Sequence, residues 1–430
     1  MADGHTAVDA GALNPAPPLS AINFFDPEFL QDPYPAYKRL RDEAPVYRDP
    51  NSGIVFVSTY DLVMEVNRQP GVFSNRFSEA LRAGSPERMD PEELAILSAG
   101  VPPVDTMLTA DPPEHTRYRK LGMKAFTYKR VEQMGAYVAE VTNALIDRFA
   151  PRGSCELKAE FANLLPMTVI ADALGVPRED MDRFFHWSEG FIIQLSGVAT
   201  RDQRLDAARR IVDYQRYFVE KIEEKRAHPT DDVISDLVHA DLAEEDDPRK
   251  MTHSELISII QQLLVAGNET TAHALTAGIY YLLTHPEQMA AVREDSSLIP
   301  NFVEETLRFL SPTNNMWRLV KSDAEIGGFP VRAGEVLLLR YGSANRDAAH
   351  FEDPDRFDVR RENARSHLAF GVGIHTCIGA QLARKEMTIA FPILFDRLQN
   401  LRLKAGATLR YSPNVLLRGV LELPVAFDGR

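Results

Sequence analysis

Near its C-terminal end the chain reads AFGVGIHTCIGAQLARKEM, from Ala369 to Met387. This stretch holds Cys377, one of only two cysteines in 430 residues; the other is Cys155. Behind the thiol, IGAQLARKEMTIAF carries apolar residues at helical spacing, so Cys377 is expected at a helix N-terminus. Unpaired amides and the positive end of the peptide dipoles favour a thiolate there and can donate hydrogen bonds to its sulfur. Gly371 and Gly373 suit a loop with backbone angles that other residues resist, and Gly379 lets the backbone approach something large and flat. Such a thiolate can ligate a metal or attack as a nucleophile. No Ser/His/Asp or Cys/His signature surrounds it, which disfavours the nucleophile. A small cysteine packed into a turn is the alternative that residue type leaves open.

Three more groupings could do chemistry. In AGNETT, Ala266–Thr271, Glu269 and Thr270 put a carboxylate able to relay protons beside a hydroxyl able to hold water. A solvated polar patch is the plainer reading, but the surrounding helix is apolar on every side and buried polar groups need partners. In EETLR, Glu305 and Arg308 share a helix face and can pair. The alternative is an exposed ion pair worth ~0–1 kcal/mol. In DPPEHTRYRK, Asp111 is placed to cap a helix, with Pro112 in its first turn and Glu114 at capping-box spacing. His115 and Arg119 then lie four apart on one face, either gripping a carboxylate or forming an exposed basic helix end.

Phe370, Gly373, His375, Cys377 and Gly379 match the F-x-x-G-x-H-x-C-x-G loop of bacterial cytochromes P-450. A chance match is roughly 10⁻⁷ per starting position at average residue usage. The chain resembles the soluble, ferredoxin-dependent members of this haem-thiolate monooxygenase family over nearly its whole length. The resemblance implies a mainly α fold with small β-sheets, built as one triangular, helix-rich domain around a buried haem b (heme b, iron protoporphyrin IX). It makes Cys377 the axial iron ligand, whose thiolate pushes electron density toward O–O cleavage. Phe370, Gly371, Gly379 and Ala266 would pack about the macrocycle. His115, Arg119, Arg318 and His375 would meet its propionates. Glu269 and Thr270 become the acid–alcohol pair that delivers protons, with Glu standing where the family more often has Asp. Glu305 and Arg308 become a buried structural pair completed by Arg356 of the PDRF segment, the family's PERF.

The implied reaction is R–H + O₂ + 2e⁻ + 2H⁺ → R–OH + H₂O. The sequence has no G-x-G-x-x-G fingerprint and no cysteines for a cluster of its own. Electrons are therefore expected from outside, and the resemblance implies a 2Fe-2S ferredoxin fed by an NAD(P)H reductase as their source. Arg117, Lys120, Lys124, Lys129, Arg130, Arg384 and Lys385 form a local basic set that could steer such an acidic partner, or simply a solvated face. Along the central helix, Ile259, Gln262, Leu263 and Ala266 fall on the Thr270 face. With Asn314, Asn315, Leu416 and the segment Asn75–Thr106 they are expected to border the substrate space. Mostly apolar residues with a few amides imply a hydrophobic small molecule: a terpenoid, steroid or substituted aromatic. Two rivals are a peroxide-driven fatty-acid peroxygenase and a non-catalytic haem-thiolate ligand sensor. The first favours an arginine in the central helix, and none lies in Ala266–Ala272; the second needs no Glu269/Thr270 pair.

The elements that must position these groups read as helices over Val131–Ala150, Arg204–Ala227 and Ser254–His285, the last apolar enough to lie centrally. Strand signals fall at Gly53–Thr59, Ala324–Tyr341 and Asn414–Phe427. The chain is 44% hydrophobic and 26% charged, ordinary for a globular protein. Residues 1–20 read as a flexible tail and 21–430 as a single domain. There is no signal-peptide pattern and no run of 18 apolar residues, and the few cysteines suit a reducing cytoplasm. A net charge of −14 disfavours nucleic acid as a partner. A monomer is expected.

Overall fold

The computed structural model describes residues 17–76, 90–195, 199–240 and 250–429. Its principal helices are α1 (Tyr34–Glu43), α2 (Tyr60–Asn67), α3 (Glu114–Ala125), α4 (Gly135–Phe149), α5 (Leu164–Ala173), α6 (Arg201–Ala227), α7 (His253–Thr284), α8 (Ile299–Leu310) and α9 (Ala380–Arg397). Its strands are β1 (Val46–Arg48), β2 (Val55–Val57), β3 (Phe73–Ser74), β4 (Ser154–Glu156), β5 (Met316–Val320), β6 (Ala324–Ile326), β7 (Phe329–Val331), β8 (Val336–Leu339), β9 (Leu398–Leu403) and β10 (Pro424–Gly429). One sheet runs β1-β2-β8-β5-β3, a second β4-β10-β9, and β6 pairs with β7 as a hairpin. The β2–β8 pair is parallel and the other pairs of these sheets are antiparallel.

Capping explains where the long helices start. Thr252 and Glu255 close a capping box on α7, as Thr200 and Gln203 do on α6. The second box starts α6 three residues ahead of the expected Arg204. The expected helix Val131–Ala150 is two pieces, because Thr127 caps an earlier short helix (Tyr128–Gln133) that ends before α4 begins. Of Asn414–Phe427 only the end is strand. The rest makes the isolated bridges Thr313–Leu417 and Tyr411–Val420, while Arg418 donates 2.8 and 2.9 Å bonds to the Leu30 and Gln31 carbonyls. The expected tail ends before residue 20: Leu19 is already buried with Phe24, Tyr37 and Phe56, and Arg39 holds the Pro17 carbonyl. Residues 1–16 lie outside the described ones. Among the described residues no helix is long and apolar enough to cross a membrane.

Helix α7 organises the core. Its first half, through Leu264, packs with Trp187, Tyr214 and Phe218. Its second half, from Ala272, packs with Phe302, Met387 and Phe391 in a separate cluster. Burying each such side chain contributes about 1.5–3 kcal/mol. A Cβ at Gly278 would stand 2.6 Å from the Phe391 ring, so glycine lets α7 and α9 approach. The polar stretch Asn268–Thr271 lies between the two clusters, and Ala266 just ahead of it keeps accessible surface. The helix is thus anchored at both ends and presents its polar middle to an interior space.

Candidate active site

The cysteine loop is built as its sequence implies. The Cys377 amide donates a 2.7 Å bond to the Phe370 carbonyl, closing the loop on itself. Gly371 and Gly373 have φ of +65° and +77°. At Gly373 a Cβ would also lie 2.8 Å from the Asn67 carbonyl oxygen, so α2 presses directly on the loop there. Gly379 is the N-cap of α9. Burial pushes the Cys377 thiol up; the amides of Gly379 and Ala380 and the charges of Arg119 and Arg384 act against it. The residue nonetheless keeps accessible surface. Lying deep and yet accessible, it stands on the wall of an interior space.

Four donors gather beside it. The His115 and His375 rings are 4.1 Å apart, and the Nε2 atom of each is buried without a hydrogen-bond partner. Burial, then the Arg119 charge, lowers the His115 pKa; burial, then His115 and Arg318, lowers that of His375 to about 3. Arg119 donates to the Thr376 carbonyl. Buried Arg318 donates to the Trp317 carbonyl at 2.7 Å and to Asn67 Oδ1 at 2.6 Å. Two orphaned imidazole nitrogens with two guanidinium groups alongside lack anionic partners of their own, which fits the carboxylate edge of a haem. Asp111 does not cap α3 as expected. It accepts from Ser74 Oγ at 2.6 Å and the Asn75 amide at 3.0 Å, and Pro113 stands at the N-cap.

On α7, Thr270 Oγ1 donates to the Ala266 carbonyl at 2.8 Å, leaving its lone pairs available. Glu269 pairs with buried His273 at 3.1 Å, a residue four places along the helix that the sequence reading missed. Burial alone would raise the Glu269 pKa; the charge and hydrogen bond of His273 and the charge of Lys158 overcome it and bring the carboxyl to about 2. A depressed carboxyl stabilises the fold above its unfolded pKa and loses that contribution as pH falls. The protein should therefore lose on the order of 3 kcal/mol from this group between about pH 5 and about pH 2. In Glu269→Gln that part of the acid sensitivity should vanish, read from urea midpoints along a pH series.

Glu305 and Arg308 are fully buried and joined by two bonds of 2.7 and 2.8 Å. The third member is Arg361, not Arg356. Arg361 Nε reaches Glu305 at 3.2 Å, whereas the Arg356 side chain is 64% exposed and lies 4.0 Å from Asp358. Arg356 contributes only its carbonyl, which accepts from Arg308 and Arg361. Next to this triad, Glu304 takes Arg384 at 2.6 and 3.0 Å and His367 at 3.0 Å. Burial raises its pKa, but these two partners pull it down to about 2.

The expected substrate wall needs revision. Ile259 is fully buried among apolar neighbours and Leu263 nearly so; Ala266 has accessible surface, and Gln262, Thr270 and Leu416 have some. Gln262 Oε1 is taken by the Leu108 amide at 2.9 Å, and nearby Ser258 Oγ donates to the Val104 carbonyl at 2.7 Å. The 104–108 segment is thus tied to α7, while residues 77–89 of the expected border lie outside the described ones. Asn314 and Asn315 are buried. Asn314 Oδ1 accepts from Tyr37 at 3.0 Å while its Nδ2 is buried without a partner, and Asn315 Nδ2 donates to the Val415 carbonyl. The basic set also shrinks. Arg117 meets buried Glu255, Arg130 meets Asp231 and Asp236, Lys385 meets Glu132, and Arg384 is held by Glu304.

A helical frame around a deep thiol, capped by helix amides and flanked by paired imidazoles, is an arrangement that a haem would fit. The family model described as Cytochrome P450 matches residues 198–408. The chain is 36% identical to the steroid C26-monooxygenase of Mycobacterium tuberculosis, across 91% of this chain and 93% of that one. It is 40% identical to the 6-deoxyerythronolide B hydroxylase of Saccharopolyspora erythraea, across 75% and 78%. The solved structure of CYP109Q5 from Chondromyces apiculatus superposes with a TM-score of 0.83 at 34% identity, covering 96% of this chain and 99% of that one. The chain belongs to the cytochrome P450 family. It is a haem-dependent monooxygenase that hydroxylates small molecules with electrons supplied from outside.

Proposed function

We propose that Cys377 would ligate the haem iron, that His115, Arg119, Arg318 and His375 would hold the propionates, and that the substrate is a bulky alicyclic hydrophobe of the steroid or terpenoid class. The observation that carries the reading is the deep, accessible Cys377 beside two imidazoles with orphaned nitrogens. When bound, the haem supplies the iron at which dioxygen is reduced and one oxygen atom is passed to the substrate. The chain's own part is positional and protic. The amides of Gly379 and Ala380 stabilise the thiolate. Thr270 Oγ1, anchored on the Ala266 carbonyl, can hold a water, and Glu269 can pass protons to it from solvent. Ala266 gives the substrate a smooth wall, with Leu416 beyond it. The steroid reading is supported by the relative named for a steroid; 6-deoxyerythronolide B, for which the other is named, is a macrolactone and supports only a bulky hydrophobic substrate.

The electron donor in this reading is a 2Fe-2S ferredoxin. Exposed Met123 and Tyr128 are each followed in the chain by an exposed lysine, Lys124 and Lys129, an apolar and basic face suited to a small acidic partner. Turnover with a surrogate ferredoxin and reductase tests the whole scheme. Oxygen-dependent hydroxylation of a steroid or terpenoid is expected; turnover by peroxide alone favours the peroxygenase, and none at all the sensor. Thr270→Ala should keep haem and substrate-induced spectral changes while product per electron falls by about 10²-fold, the lower end of what positioned proton transfer contributes. Hydrogen peroxide should rise in step. Coupling equal to wild type would remove Thr270 from the relay.

A further inference from the structure

The Glu304 carboxylate holds both flanks of the cysteine loop at once. On the near side it takes His367 Nε2 at 3.0 Å. The Ala369 amide donates to His367 Nδ1 at 3.1 Å, so the proton sits on Nε2 and the imidazole is neutral. On the far side Glu304 grips Arg384 with two bonds of 2.6 and 3.0 Å. Arg384 lies on α9, one helical stretch beyond Cys377, and its guanidinium carbon stands 4.4 Å over the centre of the Phe370 ring. Phe370 in turn carries the carbonyl that accepts the Cys377 amide. One unbroken chain of contacts therefore runs from a buried carboxylate on α8, through a cation and an aromatic ring, to the backbone of the sulfur-bearing residue.

We propose that Glu304 and Arg384 are positioning residues whose opposed charges balance each other beside Cys377, each holding the reduction potential of the haem centre against the shift the other alone would cause. The inference rests on the reading of Cys377 as the iron ligand. Reduction adds one negative charge at the iron; a nearby cation favours the reduced form and a nearby anion disfavours it. As a bonded pair the two nearly cancel. Removing either one exposes the other, so the two removals act in opposite directions. A role limited to bracing the loop has no such sign: loosening it from either end weakens the same thiolate.

The experiment is a spectroelectrochemical titration of haem-loaded wild type, Glu304→Gln, Arg384→Gln, the double variant and Arg384→Lys. At a fixed applied potential near the midpoint, the ratio of reduced to oxidised protein should rise by about threefold in Glu304→Gln and fall by about threefold in Arg384→Gln, the scale of one uncompensated charge in a partly screened site. The double variant should return toward wild type, as should Arg384→Lys, which keeps the charge. Shifts of the same sign, no shift, or a double variant displaced further than either single one would overturn the proposal. Should Arg384→Gln fail to load haem, Arg384→Lys with Glu304→Gln decides: a lysine variant displaced as glutamine would displace it refutes the charge assignment. A wild-type reduced carbonyl adduct without the long-wavelength band of a thiolate refutes the ligand reading itself, which separates the two failures.

Discussion

Cys377→Ser should retain haem and lose its chemistry. His115, Arg119, Arg318 and His375 are untouched by the change, so the macrocycle keeps its carboxylate partners. The amides of Gly379 and Ala380 then face a hydroxyl with a far higher pKa than a thiol, and it stays protonated. A neutral oxygen cannot push electron density as a thiolate does. Oxygen-dependent product formation should fall by at least about 10²-fold, a barrier increase of about 2.7 kcal/mol. The reduced carbonyl adduct should move to the position of a neutral ligand, and Cys377→His should give the nitrogen-ligated spectrum. Extracted haem per protein, measured in parallel, separates a lost ligand from a lost cofactor. A serine variant with the wild-type spectrum would end the assignment of sulfur to iron.

The second large effect is one of stability and discriminates between two arginines. Arg361→Ala strips a cation from Glu305, a carboxylate with no solvent exposure, and also removes the arginine donor to the carbonyls of Glu352 and Asp353. Breaking a buried ion pair by removing one partner costs about 3–5 kcal/mol. Arg308 still grips Glu305, so the lower end of that range is expected. Arg356→Ala removes an exposed side chain from a long pair with Asp358 and should cost about 0–1 kcal/mol. Urea midpoints of the two variants, with haem retention as a second readout, check the contrast. Equal midpoints would return the third place in the triad to Arg356.

That contrast shows where sequence reading succeeds and where it stops. The cysteine loop is legible because its parts are local: the glycines, the thiol and the helix start all fall between Gly371 and Ala380. The pairing of Glu305 with Arg308 is legible for the same reason, at one helical turn. The third arginine is not. PDRFDVRR offers Arg356, Arg360 and Arg361, and only the path of the backbone decides which one turns inward. Glu304 is harder still, since its partners lie 63 and 80 positions away. Glu269 with His273 was within reach, because a spacing of four on a helix is itself a signal. Asn314 and Asn315 misled because residue type says nothing about direction. Asn314 Oδ1 accepts from Tyr37 and Asn315 Nδ2 donates to the Val415 carbonyl, long-range partners that no local spacing announces.

The two halves of α7 carry separate apolar clusters, and the residues from Ala266 to Thr271 contribute little to either. Cohesion and selectivity are thereby assigned to different parts of one rod. With Ala266 as the proposed substrate wall, a substitution there should reshape what the enzyme accepts without drawing on the contacts that keep the rod in place. New chemistry of recognition is thus open to such a scaffold through single changes, each tolerated before its benefit is complete.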